Sequence, residues 1–194
     1  MPLVLGGRLF VNKIVFVLFF IFTLFFAQNV FAAGLSLSPS SGKYNVGDTF
    51  KVRIVLSSTD QSANAVSGNL VFSKETLTLT GLSKSDSLVS LWAQEPSYSN
   101  ANGTVDMEGV ILNGYTGGNG TILTLNFKAK AIGTANVKFS SSSVLANDGQ
   151  GTNILVGIGQ ANFSINKAEE KIVAPTPVVE PTKVSSSIQI QDLK

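Results

Sequence analysis

Asp106 and Glu108, two residues apart in TVDMEGVIL, come closer than anything else in this 194-residue chain to a catalytic carboxylate pair. Side chains at i and i+2 of a strand share a face and stand about 7 Å apart. Glycoside hydrolysis uses two carboxyl groups about 5–9.5 Å apart, one of them in surroundings that keep it protonated. The spacing fits, but the surroundings do not. Val105, Met107 and Gly109 occupy the opposite phase, and nothing nearby marks a cleft, so the pair reads as a solvated sheet face. No catalytic residue is assigned. NDGQGTN, Asn147 to Asn153, is rich in oxygen donors, but it offers one Asp and no distal Glu. A calcium loop of the EF-hand kind needs alternating ligands and a bidentate Glu. Asp148-Gly149 is therefore read as a hairpin turn, with no metal and no cofactor.

Four aromatics stand apart from the apolar pattern, Tyr44 before NVGD and three in polar segments: Trp92 and Tyr98 in LWAQEPSYSN, and Tyr115 in NGYTGGNG. Such rings in polar segments serve either as sugar-stacking platforms or as lids over a core, since Trp and Tyr bury a ring while keeping a polar tip wet. In SLVSLW both phases carry apolar residues, so Trp92 is expected to cap the core at a sheet edge. Tyr98 and Tyr115 are the candidate ligand contacts, and the three together form the predicted binding set.

The chain contains no His and no Cys. This removes the Ser-His-Asp triad, the thiolate nucleophile and Cys/His zinc sites. It also leaves burial and hydrogen bonding, with no disulfide, to hold the fold. At the amino terminus Arg8 and Lys13 precede the apolar run Ile14–Ala27, and Val30 and Ala32 stand at the small-residue positions before Ala33. That order is a secretory signal peptide over residues 1–32, shorter in its apolar part than the ~20 residues of a membrane span. It takes eight of the 13 phenylalanines with it. It also takes two cations, so the remaining 12 basic and 12 acidic residues balance and the basic pI is no argument for nucleic-acid binding. The expectation is a secreted, extracellular product, displayed at a cell surface or free.

From Leu35 to Asn166 the apolar period is two. Phe50, Val52, Ile54 and Leu56 alternate with Lys51 and Arg53, and Leu123, Leu125, Phe127 and Ala129 with Thr124, Asn126 and Lys128. Ala135, Val137 and Phe139 repeat the pattern, as do Ala161, Phe163 and Ile165. NVGD, NANG, GGNG and NDGQG supply turns between the runs. The fold class is all-β, a jelly-roll β-sandwich of about nine antiparallel strands over residues 33–166. From 167 to 194, AEEKIVAPTPVVEPTK and its sequel read as a proline-rich linker or tail.

The patterned region resembles the cohesin family. YNVGDTFKVRIVLSS is similar to the first core strand with its entry turn, and SGNLVF followed by TLTLTGL resembles the next hairpin. GNGTILTLNFKAKAIGTANVKF resembles the paired strands after a glycine turn, and SVLANDGQGTNI the late hairpin. The resemblance implies a nine-stranded jelly roll, akin to cellulose-binding modules. It also implies a non-catalytic module that docks a dockerin partner through a flat sheet face in polysaccharide-degrading assemblies. Where family members often carry an aromatic-Asp pair near that face, this chain has Phe72-Ser73-Lys74-Glu75, so no dockerin-contact residue is carried over. Two further classes share the signal, fold and linker: a carbohydrate-binding module with a polysaccharide ligand, and a structural or adhesive surface domain. Fold alone does not separate them.

Overall fold

Alternating apolar residues become strands when one face finds a core. In the computed structural model, which describes residues 33–168, this happens nine times. The strands are β1 (Ala33–Ser38), β2 (Ser41–Asn45), β3 (Thr49–Phe72), β4 (Leu77–Ser83), β5 (Leu91–Ser99), β6 (Thr104–Ala129), β7 (Gly133–Ala146), β8 (Leu155–Ile158) and β9 (Gln160–Asn166). The expected signal peptide and the proline-rich segment from residue 169 onward lie outside the described residues. Among the described residues no helix is long and apolar enough to cross a membrane.

Two strands are far longer than the rest, and they organise the molecule. β3 and β6 pair antiparallel from Thr49↔Lys128 to Val71↔Thr104, and the register shifts between residues 54 and 65 of β3. There each strand bends and changes neighbours. The first half of β3 (49–58) lies beside β1, and its second half (63–72) beside β7. β6 exchanges β5 for β4 in the same way. The result is one curled sheet with two layers. The first layer runs β8-β1-β3-β6-β4 and the second β2-β9-β7-β3-β6-β5.

The bend has identifiable causes. The buried Ser58 donates its hydroxyl to the Gln61 carbonyl at 2.5 Å, a peg for the corner of β3. On β6 the backbone takes positive φ at Asn113 (65°) and Gly114 (73°). A Cβ on Gly114 would stand 2.3 Å from the Ser62 hydroxyl oxygen, so glycine is required by conformation and by space.

This revises three sequence expectations. GGNG does not separate strands, because Gly117 to Gly120 continue β6 after its bend at Asn113-Gly114. SGNLVF and TLTLTGL do not form a hairpin: β4 pairs with β6, and the turn at residues 73–76 carries the chain across to the other layer. Nor do the end of β6 and β7 pair; β7 lies between β3 and β9. In each case neighbours in sequence were taken for neighbours in the sheet, whereas a sandwich buries both layers by sending the chain from one to the other. The pairing is also not wholly antiparallel, since β1–β8 and β2–β9 are parallel. The Asp148-Gly149 hairpin stands as expected, closed by Ala146 N–H to Thr152 O at 2.8 Å and Ile154 N–H to Val144 O at 2.8 Å.

The core is the inward phase of both layers. Phe127 and Phe163 are buried with Leu35, Ile54, Leu70, Leu79 and Leu125. Rings join the layers: Phe50 of the first lies 5.0 Å from Phe163 of the second, and Phe127 meets Phe72 edge-on at 5.4 Å. Tyr44 stacks on Phe50 at 3.9 Å and closes that end. Among the described residues Phe139 alone of the five phenylalanines is only partly buried, though it too packs against the core.

Candidate docking face

In the second layer the outward phase of β5, β6, β3 and β7 forms a broad face that the strands hold rigid. At its middle the Asn69 side chain bridges three strands, donating its amide to Asp106 on β6 and accepting from the Ser141 hydroxyl on β7 at 2.6 Å. One rung away, Ser67 and Ser143 hydroxyls are 2.8 Å apart. These cross-strand bonds fix the polar groups before any partner arrives. Glu108, exposed on the same side of β6 as Asp106, makes no side-chain hydrogen bond among the described residues.

Toward the bend the face turns apolar. Ala65 stands between Val110 and Leu145 in register, and Leu91 opposes Val110. Leu91 and Leu112 are 59% and 60% exposed, which is high for adjacent large apolar residues. Beside this patch lies a dip of about 60 Å³ lined by Ala65, Ser67, Ala93, Val110, Ser143 and Leu145, with Glu108 at its edge. Small-molecule sites run to about 300–1,000 Å³, so the dip accommodates the tip of one aliphatic side chain rather than a sugar ring. At the other end the face opens into a shallow polar depression of about 370 Å³ edged by Asn136, Lys138, Gln160 and Asn162.

Asp106 and Glu108 do share a face, as their spacing requires. Asp106 is hydrogen-bonded to an amide and Glu108 is in water, so neither has the apolar setting of a general acid. Asp148 caps its turn by accepting the Gln150 N–H at 2.8 Å. The Thr152 hydroxyl and then that Gln150 amide hold its carboxyl below the ordinary value of 3.8. No cluster of three or more metal-ligating side chains occurs among the described residues.

The three predicted aromatics are not gathered into one platform. Trp92 is half-buried against the core, opposite Gly109, where a Cβ would stand 3.2 Å from the indole. Tyr98, 40% exposed, lies at the other end of edge strand β5, across from Val105. Tyr115 packs into the bend of β6, its ring against Gly117 and Gly120 and its hydroxyl accepting the Asn119 N–H at 3.2 Å. The apolar patch of Ala65, Ala93, Val110 and Leu145 was missed. Its signal was present, because LVSLWAQ and GVILNG carry apolar residues in both phases, and the outward phase of a one-sided sheet should be polar.

No protein-family model matches the sequence, and no match to a curated protein reaches significance. Solved structures do match. A non-cellulosomal cohesin from the hyperthermophilic archaeon Archaeoglobus fulgidus superposes with TM-score 0.56 at 12% identity, covering 69% of this chain and 91% of that one. A cohesin in a type I cohesin–dockerin complex from Clostridium thermocellum gives 0.56 at 14% identity, covering 69% and 99%. A cohesin module of a family 33 glycoside hydrolase from Clostridium perfringens gives 0.53 at 11% identity, covering 73% and 100%. At these identities the likeness concerns architecture, and on it the chain has a cohesin-like fold, an all-β jelly-roll sandwich.

Proposed function

We propose that this chain is an exported, non-catalytic docking module that binds a protein partner of the dockerin type through the outer face of β5, β6, β3 and β7. One observation carries the reading: hydroxyl and amide groups locked across three strands adjoin an exposed apolar patch with a dip sized for one side chain. Flat, prearranged faces of this kind suit another folded surface, which supplies side chains to the dip and satisfies the ring of polar groups. Several structures with the same architecture are named as cohesins, and some are named as complexes with dockerins. A signal peptide at one end and a proline-rich spacer at the other suit presentation outside the cell. The archaeal neighbour is named as non-cellulosomal, so a place in polysaccharide breakdown is a separate matter from docking.

The test is titration of the full chain with a panel of purified dockerin modules, read by calorimetry and gel filtration. A one-to-one complex is expected with at least one of them. Val110→Lys and Ala65→Arg, which put charge into the patch, should abolish it while leaving the thermal melt nearly unchanged. Complex formation untouched by both variants, or no complex with any dockerin, overturns the reading. Glycosidase assays on soluble and insoluble polysaccharides should show no turnover.

A further inference from the structure

The opposite side of the sandwich carries a second groove that the docking face does not use. Alternation along β3 sends Lys51 and Arg53 out of the first layer, where they stand beside Asn126 and Thr124 of β6. A groove of about 410 Å³ opens here, lined by Ser38, Lys51, Arg53, Ser83, Asp86 and Thr124. Arg53 is half-buried, and its guanidinium is held by hydroxyls alone, Thr121 at 3.3 Å and Ser38 at 3.5 Å. Neither Arg53 nor Lys51 forms an ion pair with a described carboxylate. Asp86, across the groove, is held at φ 62° without a salt bridge.

The lining has a recognisable chemistry. Two cations converge on one region and can neutralise an anion, Arg53 with a planar fork suited to an oxyanion. Around them stand hydroxyls and one acceptor carboxylate, the partners of a polyol. Pro39 is the only apolar residue in the lining, so there is no pocket to seat a peptide side chain. A second depression of about 310 Å³ shares Lys51 and continues past Thr49, Thr80 and Asn126. Lys128, opposite Thr49, adds a further cation on the same side. The track therefore extends beyond one sugar ring.

The geometry points to an acidic saccharide, its carboxylate or sulfate on Arg53 and Lys51 and its hydroxyls on Ser38, Thr124 and Asp86, as the ligand of this first-layer groove. The module then has two independent faces, one for protein and one for a charged glycan.

The full chain is tested by affinity electrophoresis through gels carrying oligogalacturonate, dextran sulfate, unsubstituted dextran or poly-glutamate. Retardation by oligogalacturonate or dextran sulfate is expected, and whichever acts identifies the anion as carboxylate or sulfate. Dextran and poly-glutamate should retard far less, and raised salt should weaken the effect. Arg53→Gln should lower affinity about tenfold or more and Lys51→Gln several-fold, magnitudes of charge-assisted bonds. Lys43→Gln, which removes the same charge from the second layer, should leave it unchanged. Lys51 is exposed, so its variant folds even if Arg53→Gln does not, and a melt of each variant verifies this. No retardation by either acidic saccharide overturns the proposal. So does equal retardation by poly-glutamate, equal loss in Lys43→Gln, or full affinity in Lys51→Gln.

Discussion

Phe127 meets Phe50 in its own layer and Phe72 across the sandwich, and it is fully buried. Phe127→Ala removes both contacts and leaves a cavity, a loss of about 3–5 kcal/mol. Against the roughly 5–15 kcal/mol of a typical domain, chemical denaturation should show a midpoint far below the parent's. A midpoint within error of the parent would mean this ring is not in the core. Asp148 makes a prediction of a different kind. The Thr152 hydroxyl and the Gln150 amide favour its charged form, so its folded pKa lies below the unfolded one. Its contribution to stability is then complete above the ordinary carboxylate range and is lost as pH falls through the lowered folded value. Asp148→Asn should therefore melt below the parent at neutral pH and approach it in strong acid; a gap that widens in acid would reverse the assignment. Residues such as Phe127 were legible in the sequence because strict alternation states which way a side chain points. Tyr98 and Tyr115 were less so, since a ring in a polar segment gives no phase. Tyr115 is decided by Gly120, five residues further along β6, because the ring lies against that glycine.

Strand identity was visible in the sequence, but strand partnership was only partly so. Local alternation names a strand, whereas its neighbour depends on where the chain turns. The bend at Asn113-Gly114 lies between the part of β6 that pairs with β5 and the part that pairs with β4, and it carries a quieter turn signal than GGNG. Across the open side of the sandwich, β4 and the turn before β6 are joined by Asn100, whose side chain accepts the Leu79 N–H at 2.8 Å and donates to the Leu79 carbonyl at 2.9 Å. Asn100→Ala deletes both bonds and leaves two strand groups without their partner. The expected loss is about 1–3 kcal/mol, with faster hydrogen exchange at the Leu79 amide. Exchange unchanged at Leu79 would show that the contact does not hold this edge. By contrast, the Lys84–Glu95 pair at 2.8 Å joins two exposed side chains, and its removal should leave the melt nearly unmoved.

For the whole molecule, reading NDGQG as a turn predicts that calcium or EDTA leaves the melting temperature unchanged, since a ligand specific for the native state must raise it. A clear rise with calcium would restore a metal site at Asp148. The two-layer architecture was legible in the sequence because turns recur along a period-two pattern. The docking face was not, because it is assembled from residues 65–69, 91–93, 106–110 and 141–145, which no local motif connects. One topological detail bears on how such a module carries load. β2 and β9 run parallel, in register from Ser41↔Asn162 to Asn45↔Asn166. Tension that enters at the start of β2 and leaves at the end of β9 draws the two strands along each other. All rungs of that ladder are then strained together in shear instead of being unzipped one after another.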